Sequence, residues 1–294
     1  MRPAAIHRVS PLNSAGSEVG AGVVTEAARK TYDRDGVVLL RHAFAPAQIR
    51  ALAYRMSEMV DGVLAGRQDL IASRAPGRVE IYNAVRREQL FRDFVFRSAA
   101  AEIAARIAGS QLARFYFDVT FCKIDADSTK AGAAATSLHH DVASFAFKGC
   151  QLPSLWLALT DVPLDTGPLV FAIGSHASTE TLFRASGTYA DPPAEGYRDH
   201  GDVIGFIAQQ RFEMRAFPAK AGDLIVIHPY VLHGSAPVAD GAERRLGFCT
   251  RWMGDDVTWR PSAYTLDEVR SMQRALPIGT KPPDESFPVT WPRP

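Results

Sequence analysis

From residue 113 onward the chain breaks into short runs of β-branched and aromatic residues: RFYFDVTFCKI, PSLWLALTDV, PLVFAI, FEMRAF, DLIVIH and LGFCTRW. Each is bounded by Gly, Pro or Asp, and that spacing argues an antiparallel sandwich or barrel. The part before them reads differently. GVVLLR (36–41) has strand character, after which Pro46 sits where a first helical turn accepts it. Ile49, Leu52, Met56, Met59, Val60 and Val63 then recur at helical spacing. A second helical stretch over 88–108 carries Leu90, Phe91, Phe94, Ile103 and Ile107. No internal repeat or low-complexity linker separates the two parts. With 47% hydrophobic residues a substantial core is affordable, and the expectation is one mainly β domain over 1–294 with helices packed outside it.

Three segments fall outside this rhythm. Residues 1–22 are rich in Ser, Gly and Pro and read as a loose arm. Residues 177–211 are long, small and polar, the texture of a lid insertion. Thr265 and Glu268 form a capping box, with Tyr264 and Val269 as its hydrophobic staple, predicting a last helix over about 266–275.

Net charge is +1 and the basic residues are scattered, so no footprint for nucleic acid or membrane exists. Cys122, Cys150 and Cys249 are odd in number, far apart and form no CxxC, which fits a reducing cytosol better than a disulfide framework. The first residues carry no continuous apolar segment, and no apolar run is long enough to span a bilayer. The expectation is a soluble cytoplasmic protein of unspecified oligomeric state. GxGxxG, P-loop and GxSxG signatures are absent.

The chemistry concentrates at SLHHDVASF (137–145). On a strand, residues two apart share a face, so His139 and Asp141 point one way and His140 the other. A His and a carboxylate converging in this way make two thirds of the facial triad that holds non-haem Fe(II). His233, just beyond the strand DLIVIH, is the candidate third ligand, because strand pairing in a sandwich can bring it beside the other two. His140 reads as a supporting residue, His228 as a strand-end hydrogen bonder, and His176 as ordering a turn.

These residues fall in a larger pattern. HHD at 139–141, WLALTDV at 156–162, GPLVFAIGSH at 167–176, and HGSAP at 233–237 followed by Arg244 resemble the phytanoyl-CoA dioxygenase family. So does the opening YDRDGVVLLRHAFAPAQIRAL at 32–52. The resemblance spans about 30–255. It implies a double-stranded β-helix, a jelly-roll variant, and oxidation of a substrate C–H bond with Fe(II), O2 and 2-oxoglutarate. His139, Asp141 and His233 are then the iron ligands. Arg244, Ser235, Trp156 and Arg78 are the implied 2-oxoglutarate contacts, with Arg245 replacing Arg244 if the last strand is shifted by one residue. The retained Asp141 favours hydroxylation or a related oxidation over halogenation, since halogenating relatives carry a small residue there. The family's Asn near position 238 is Val238 here.

Tyr116, Phe145, Lys148, Arg211 and Arg215 are candidate substrate contacts, and Arg251 with Asp255 and Asp256 reads as a surface ion pair. No basic cluster suits the phosphates of coenzyme A, so a free small metabolite or biosynthetic intermediate is the preferred substrate class. Two rivals stand beside this reading: a cupin-like metal-dependent isomerase or lyase, and a non-catalytic binding module on the same fold.

Overall fold

The computed structural model describes residues 20–124, 135–178, 180–184, 195–238, 244–262, 264–265 and 276–292. Helices α1 (Glu26–Asp35) and α2 (Pro46–Leu64) enclose strand β1 (Val37–Leu40). A hairpin of β2 (Ile71–Ala75) and β3 (Arg78–Tyr82) leads to α3 (Ala84–Arg87), α4 (Gln89–Arg97) and α5 (Ala100–Ala108). The strand-rich part then runs through β4 (Ala113–Lys123), β5 (Thr136–His139), β6 (Phe147–Lys148), β7 (Ser154–Ala158) and β8 (Leu169–Ala172). After β9 (Leu182–Phe183), β10 (Tyr197–Arg198) and α6 (Val203–Gln210) come β11 (Met214–Phe217), β12 (Leu224–Ile227) and β13 (His233–Ser235). The long β14 (Arg245–Met253) precedes β15 (Thr258–Trp259) and β16 (Val289–Trp291).

An eight-stranded sheet has the order β1-β12-β7-β14-β4-β3-β2, with β16 also on β4, and a four-stranded sheet has the order β11-β8-β13-β5. Every pairing in β14 and its neighbours, and in the smaller sheet, is antiparallel. This is the jelly-roll architecture of the double-stranded β-helix that the family resemblance implies, with the antiparallel pairing that the strand rhythm predicts.

Side-chain alternation divides the larger sheet into two chemically distinct faces. Leu155 and Leu157 of β7, Leu224 and Val226 of β12, and Leu246, Phe248 and Trp252 of β14 pack with α2, α4 and α5. The residues between them, Trp156, Ala158, Ile225, Ile227 and Cys249, face the smaller sheet and join Leu169, Phe171 and Phe217. The cavity of interest opens at the end of this inter-sheet layer.

The local rules act where the sequence places them. Pro46 opens α2, whose six apolar positions at helical spacing are all buried. Thr25 caps α1 by accepting from Ala28 N, and Gly36 ends that helix with φ 75, a backbone state that glycine adopts without penalty. The stretch expected as one helix over 88–108 is two, because Ser98 Oγ accepts from Ala100 N and breaks the run. Within 177–211, α6 and the parallel β9–β10 pair are ordered over a small core of Phe183, Val203, Ile207 and Leu232, so the described part is a structured cover rather than a bare loop. The expected helix over 266–275 and most of the arm lie outside the described residues. Among the described residues, no helix is long and apolar enough to cross a membrane.

Candidate active site

Antiparallel pairing of β13 with β5 sets His233 directly opposite His139. Asp141 arrives by a different route from the expected one. The strand stops at His139, and Asp141 begins a single 3-10 turn over Asp141–Ser144 that swings its carboxylate back toward both imidazoles. Asp141 Oδ1 lies 3.7 Å from His139 Nε2 and 3.8 Å from His233 Nε2. The three ligand atoms are all within 4.8 Å of one another, a spacing that a single metal ion spans.

The donor set fits Fe(II) in its protonation states as well as its positions. His139 Nδ1 bonds the Ser137 carbonyl at 2.8 Å and His233 Nδ1 the Val231 carbonyl at 3.0 Å. Each Nδ1 therefore carries the hydrogen, and each Nε2 lone pair is left for the metal. Burial pulls the pKa of His233 down to about 4 against the opposing pull of Asp141, so its ring is neutral at physiological pH. Burial disfavours the Asp141 carboxylate, but Arg251 and the two histidines outweigh it and hold its pKa well below the usual carboxylate range. Ser154 Oγ donates to Asp141 Oδ2 at 2.7 Å and leaves Oδ1 toward the metal position. His140 points away and is buried; its Nδ1 accepts from Phe183 N at 2.8 Å, as a supporting residue would. His228 accepts from Tyr230 N, and His176 Nε2 lies 3.0 Å from the Asp33 carbonyl.

One cavity runs from these ligands along the inner face of β14 and β4. Arg78, Lys123, Ser235, Trp156, Arg245 and Arg251 all line it. The Arg245 guanidinium lies 4.8 Å over the Trp156 ring and donates to the Gly167 carbonyl. The Trp156 indole can lie there because position 247 is glycine: a Cβ would sit 2.3 Å from the ring. Burial lowers Arg245 to about 9, which leaves it protonated at neutral pH. Lys123 Nζ donates to Ser235 Oγ at 2.7 Å and to the Ala236 carbonyl at 2.8 Å. Burial, then Arg245 and Arg78, bring Lys123 down to about 6. Arg78 pairs with Glu80 at 3.2 Å. This end of the cavity is cationic and hydroxylated, suited to a carboxylate.

The structure corrects several expectations. Arg244 does not face the cavity; it shares the Leu246 side of the sheet and reaches α2, where it bonds Ser57 Oγ at 2.9 Å and pairs with Asp61 at 2.8 Å. The inward arginine is Arg245. Tyr116 also points away, because the inward residues of β4 are Phe117, Val119, Phe121 and Lys123; its hydroxyl accepts from Ala146 N inside an aromatic cluster. Lys148 turns its ammonium onto the Val142 and Phe145 carbonyls, pinning the turn that carries Asp141, and does not line the cavity. Arg211 is exposed at the end of α6 with φ 59, and Arg215 pairs with Asp35 and Glu213. Phe145 does line the cavity. Arg251 is no surface pair: it is buried beside Asp141, while Asp255 and Asp256 accept from the backbone at Gln111, Cys150 and Gln151. Lys123 went unnoticed in the sequence, although a lysine in the inward register of an apolar strand is the signal that finds it.

A double-stranded β-helix whose paired strands bring two imidazoles to one point, with a carboxylate from the adjoining turn and a buried cationic cleft beside them, defines the non-haem iron oxygenase class. Residues 32–246 match the family described as phytanoyl-CoA dioxygenase, and the chain belongs to that family. It is an Fe(II)- and 2-oxoglutarate-dependent enzyme. Solved structures share the fold. The 2-oxoglutarate-dependent carbocyclase SnoK from nogalamycin biosynthesis is 20% identical at a TM-score of 0.68, covering 93% of this chain and 99% of its own. The epimerase SnoN, solved with Fe3+, α-ketoglutarate and nogalamycin RO, is 21% identical at 0.67, covering 92% and 99%. EctD from S. alaskensis, solved with 2-oxoglutarate and 5-hydroxyectoine, is 16% identical at 0.61, covering 85% and 82%. No curated protein matches the sequence significantly.

Proposed function

We propose that the enzyme oxidises a C–H bond of a small organic metabolite or biosynthetic intermediate, with hydroxylation as the basic outcome, and that 2-oxoglutarate lies between the metal ligands and Arg245. The observation that carries this reading is the cavity itself. Its His139, Asp141 and His233 end suits a metal with open positions, and its Arg245, Lys123 and Ser235 end suits the far carboxylate of a dicarboxylic acid. When bound, Fe(II) and 2-oxoglutarate couple reduction of O2 to release of succinate and CO2 and to oxidation of the substrate.

The chain's own contribution is positioning and exclusion of water. His233 stays neutral and Asp141 stays ionised across neutral pH, so neither has to lose a proton before the metal binds. The Arg245 fork, stacked on Trp156, offers parallel N–H donors to a planar carboxylate, and Lys123 holds the Ser235 hydroxyl in place beside it. Phe117, Val119, Phe121 and Phe145 form the apolar wall against which a substrate body packs. The names of SnoK, a carbocyclase, and SnoN, an epimerase, support a scaffold that ends C–H oxidation in more than one way.

The test is a substrate screen read as 2-oxoglutarate consumption. The substrate should stimulate release of one succinate per product and consume O2. Conversion that continues undiminished under strict anaerobiosis would refute the oxygenase reading in favour of a metal-dependent isomerase.

A further inference from the structure

Arg251 is a buried cation whose donors are poorly used. Its guanidinium has five N–H groups. Nη1 reaches the Cys249 carbonyl only at 3.4 Å, Nη2 stands 3.9 Å from Asp141 Oδ1, and Nε is buried with no partner. Three aromatic rings surround it, with centroids 4.9 Å (Phe117), 5.8 Å (Phe121) and 5.9 Å (Phe145) from its Cζ. Those rings hold the guanidinium plane but accept none of its hydrogens as a carboxylate would. A buried charge left in this state is costly unless something else completes it.

Neither partner already described completes it. Asp141 is too distant for a hydrogen bond, Ser154 already occupies its other oxygen, and a divalent metal on Asp141 would repel the guanidinium. A 2-oxoglutarate that joins the metal to Arg245 commits its far carboxylate there, and Arg251 stands six residues further along the strand, about 20 Å away at the backbone. Arg251 then remains as a cation beside Asp141, against the aromatic wall of Phe117, Phe121 and Phe145.

We propose that Arg251 anchors a carboxylate of the substrate, so that the substrate class is a free organic acid with an apolar body rather than an ester, amide or thioester of that acid. The inference rests on the 2-oxoglutarate reading of the Arg245 end. A planar carboxylate fits the unpartnered Nε and the weakly used Nη groups beside it, and an apolar, ring-bearing body fits against Phe117 and Phe145.

The experiment titrates 1-naphthoate and 3-phenylpropionate, each beside its primary amide, into the protein loaded anaerobically with Fe(II) and 2-oxoglutarate. Calorimetry reads binding, and no turnover occurs without O2. Each acid should bind about 10- to 150-fold more tightly than its amide, the range for a charge-assisted hydrogen bond. Arg251→Gln should erase that ratio, and Arg251→Lys should keep part of it. Equal affinity for acid and amide in the unmodified protein, or no binding of either acid, would overturn the assignment whether or not the variants fold. If Arg251→Gln instead abolishes 2-oxoglutarate binding, Arg251 belongs to the co-substrate and the proposal fails while the functional reading stands. Failure of the unmodified protein to load 2-oxoglutarate would overturn both.

Discussion

Replacing Arg245 with methionine should separate the two adjacent arginines at the start of β14. Methionine keeps an apolar stem over Trp156 and removes the fork, so the loss reports the guanidinium rather than a hole. Arg245 is 3% exposed, stacked 4.8 Å over Trp156, and held by the Gly167 carbonyl, so its geometry is preset before any ligand arrives. A charge-assisted hydrogen bond in such a site contributes about 1.5–3 kcal/mol, or roughly 10- to 150-fold in Kd for 2-oxoglutarate. Arg244 differs in every respect: its side chain is 32% exposed and its partner Asp61 60% exposed, on the helix side of the sheet. Arg244→Ala should leave the Kd unchanged and cost at most about 1 kcal/mol of stability. The assay is an anaerobic calorimetric titration of 2-oxoglutarate into Fe(II)-loaded protein, with thermal unfolding alongside to exclude a collapsed variant. A loss confined to Arg244→Ala, or equal losses in both, would refute the register assigned to this strand.

Other consequences follow from the same site. His139→Ala or His233→Ala should abolish the weak visible charge-transfer band expected when Fe(II) and 2-oxoglutarate are added anaerobically; Asp141→Asn keeps the shape but loses the charge, so equilibrium dialysis should show most iron affinity gone. Burial and the neighbouring arginines bring Lys123 from its ordinary 10.5 to about 6, so between those values the folded apoprotein binds fewer protons than the unfolded chain. Apoprotein stability should therefore rise with pH across that window, by up to about 1.4 kcal/mol per unit, and Lys123→Met should flatten the slope in denaturant titrations at several pH values. Gly247→Ala places a methyl 2.3 Å from the Trp156 ring, and the overpacking should cost about 1–3 kcal/mol in urea unfolding and weaken 2-oxoglutarate binding as the indole shifts.

Much of the architecture was legible because strand texture and helix periodicity are local signals. The apolar positions of α2 and the runs that became β4, β7, β8, β11, β12 and β14 stand out without any knowledge of their partners. What could not be read locally was set by contacts between distant segments. The hairpin β2–β3 is a case: β2 is exposed along its length and has Ile71 as its single large apolar residue, so only pairing of β3 on β4 makes it part of the sheet. The lid segment is another, since Phe183 and Leu232 come together from positions far apart in the chain.

At the site, the three candidate ligands do come together, but through a geometry that differs from the expected one. Strand alternation places His139 and Asp141 on one face, whereas the chain leaves the strand at His139 and returns Asp141 through a turn pinned by Lys148. Position 141 is set by that turn, and the lysine that looked like a substrate contact is part of its support.

The arginine register shows a case where period-two reasoning had enough information. In RRLGFCTRW (244–252), one frame holds Arg244, Leu246, Phe248, Thr250 and Trp252, and the other holds Arg245, Gly247, Cys249 and Arg251. A face buried under helices must be mostly large and apolar, which only the first frame supplies from Leu246 onward. Its leading arginine falls at the start of the strand, where a long stem reaches Ser57 and Asp61 of α2 near the surface. The second frame combines a glycine with two arginines and cannot fill a helix–sheet core without stranding two charges. It must face a cavity that brings its own anions. The same argument on β4 separates Phe117, Val119, Phe121 and Lys123 from Tyr116, and places Lys123 opposite Arg245 in the ladder. Two inward guanidinium cations on one strand, with Asp141 beside only Arg251, therefore call for anionic ligands from outside the chain: a dicarboxylate at the Arg245 end, where Lys123 adds a donor, and a second acid at Arg251.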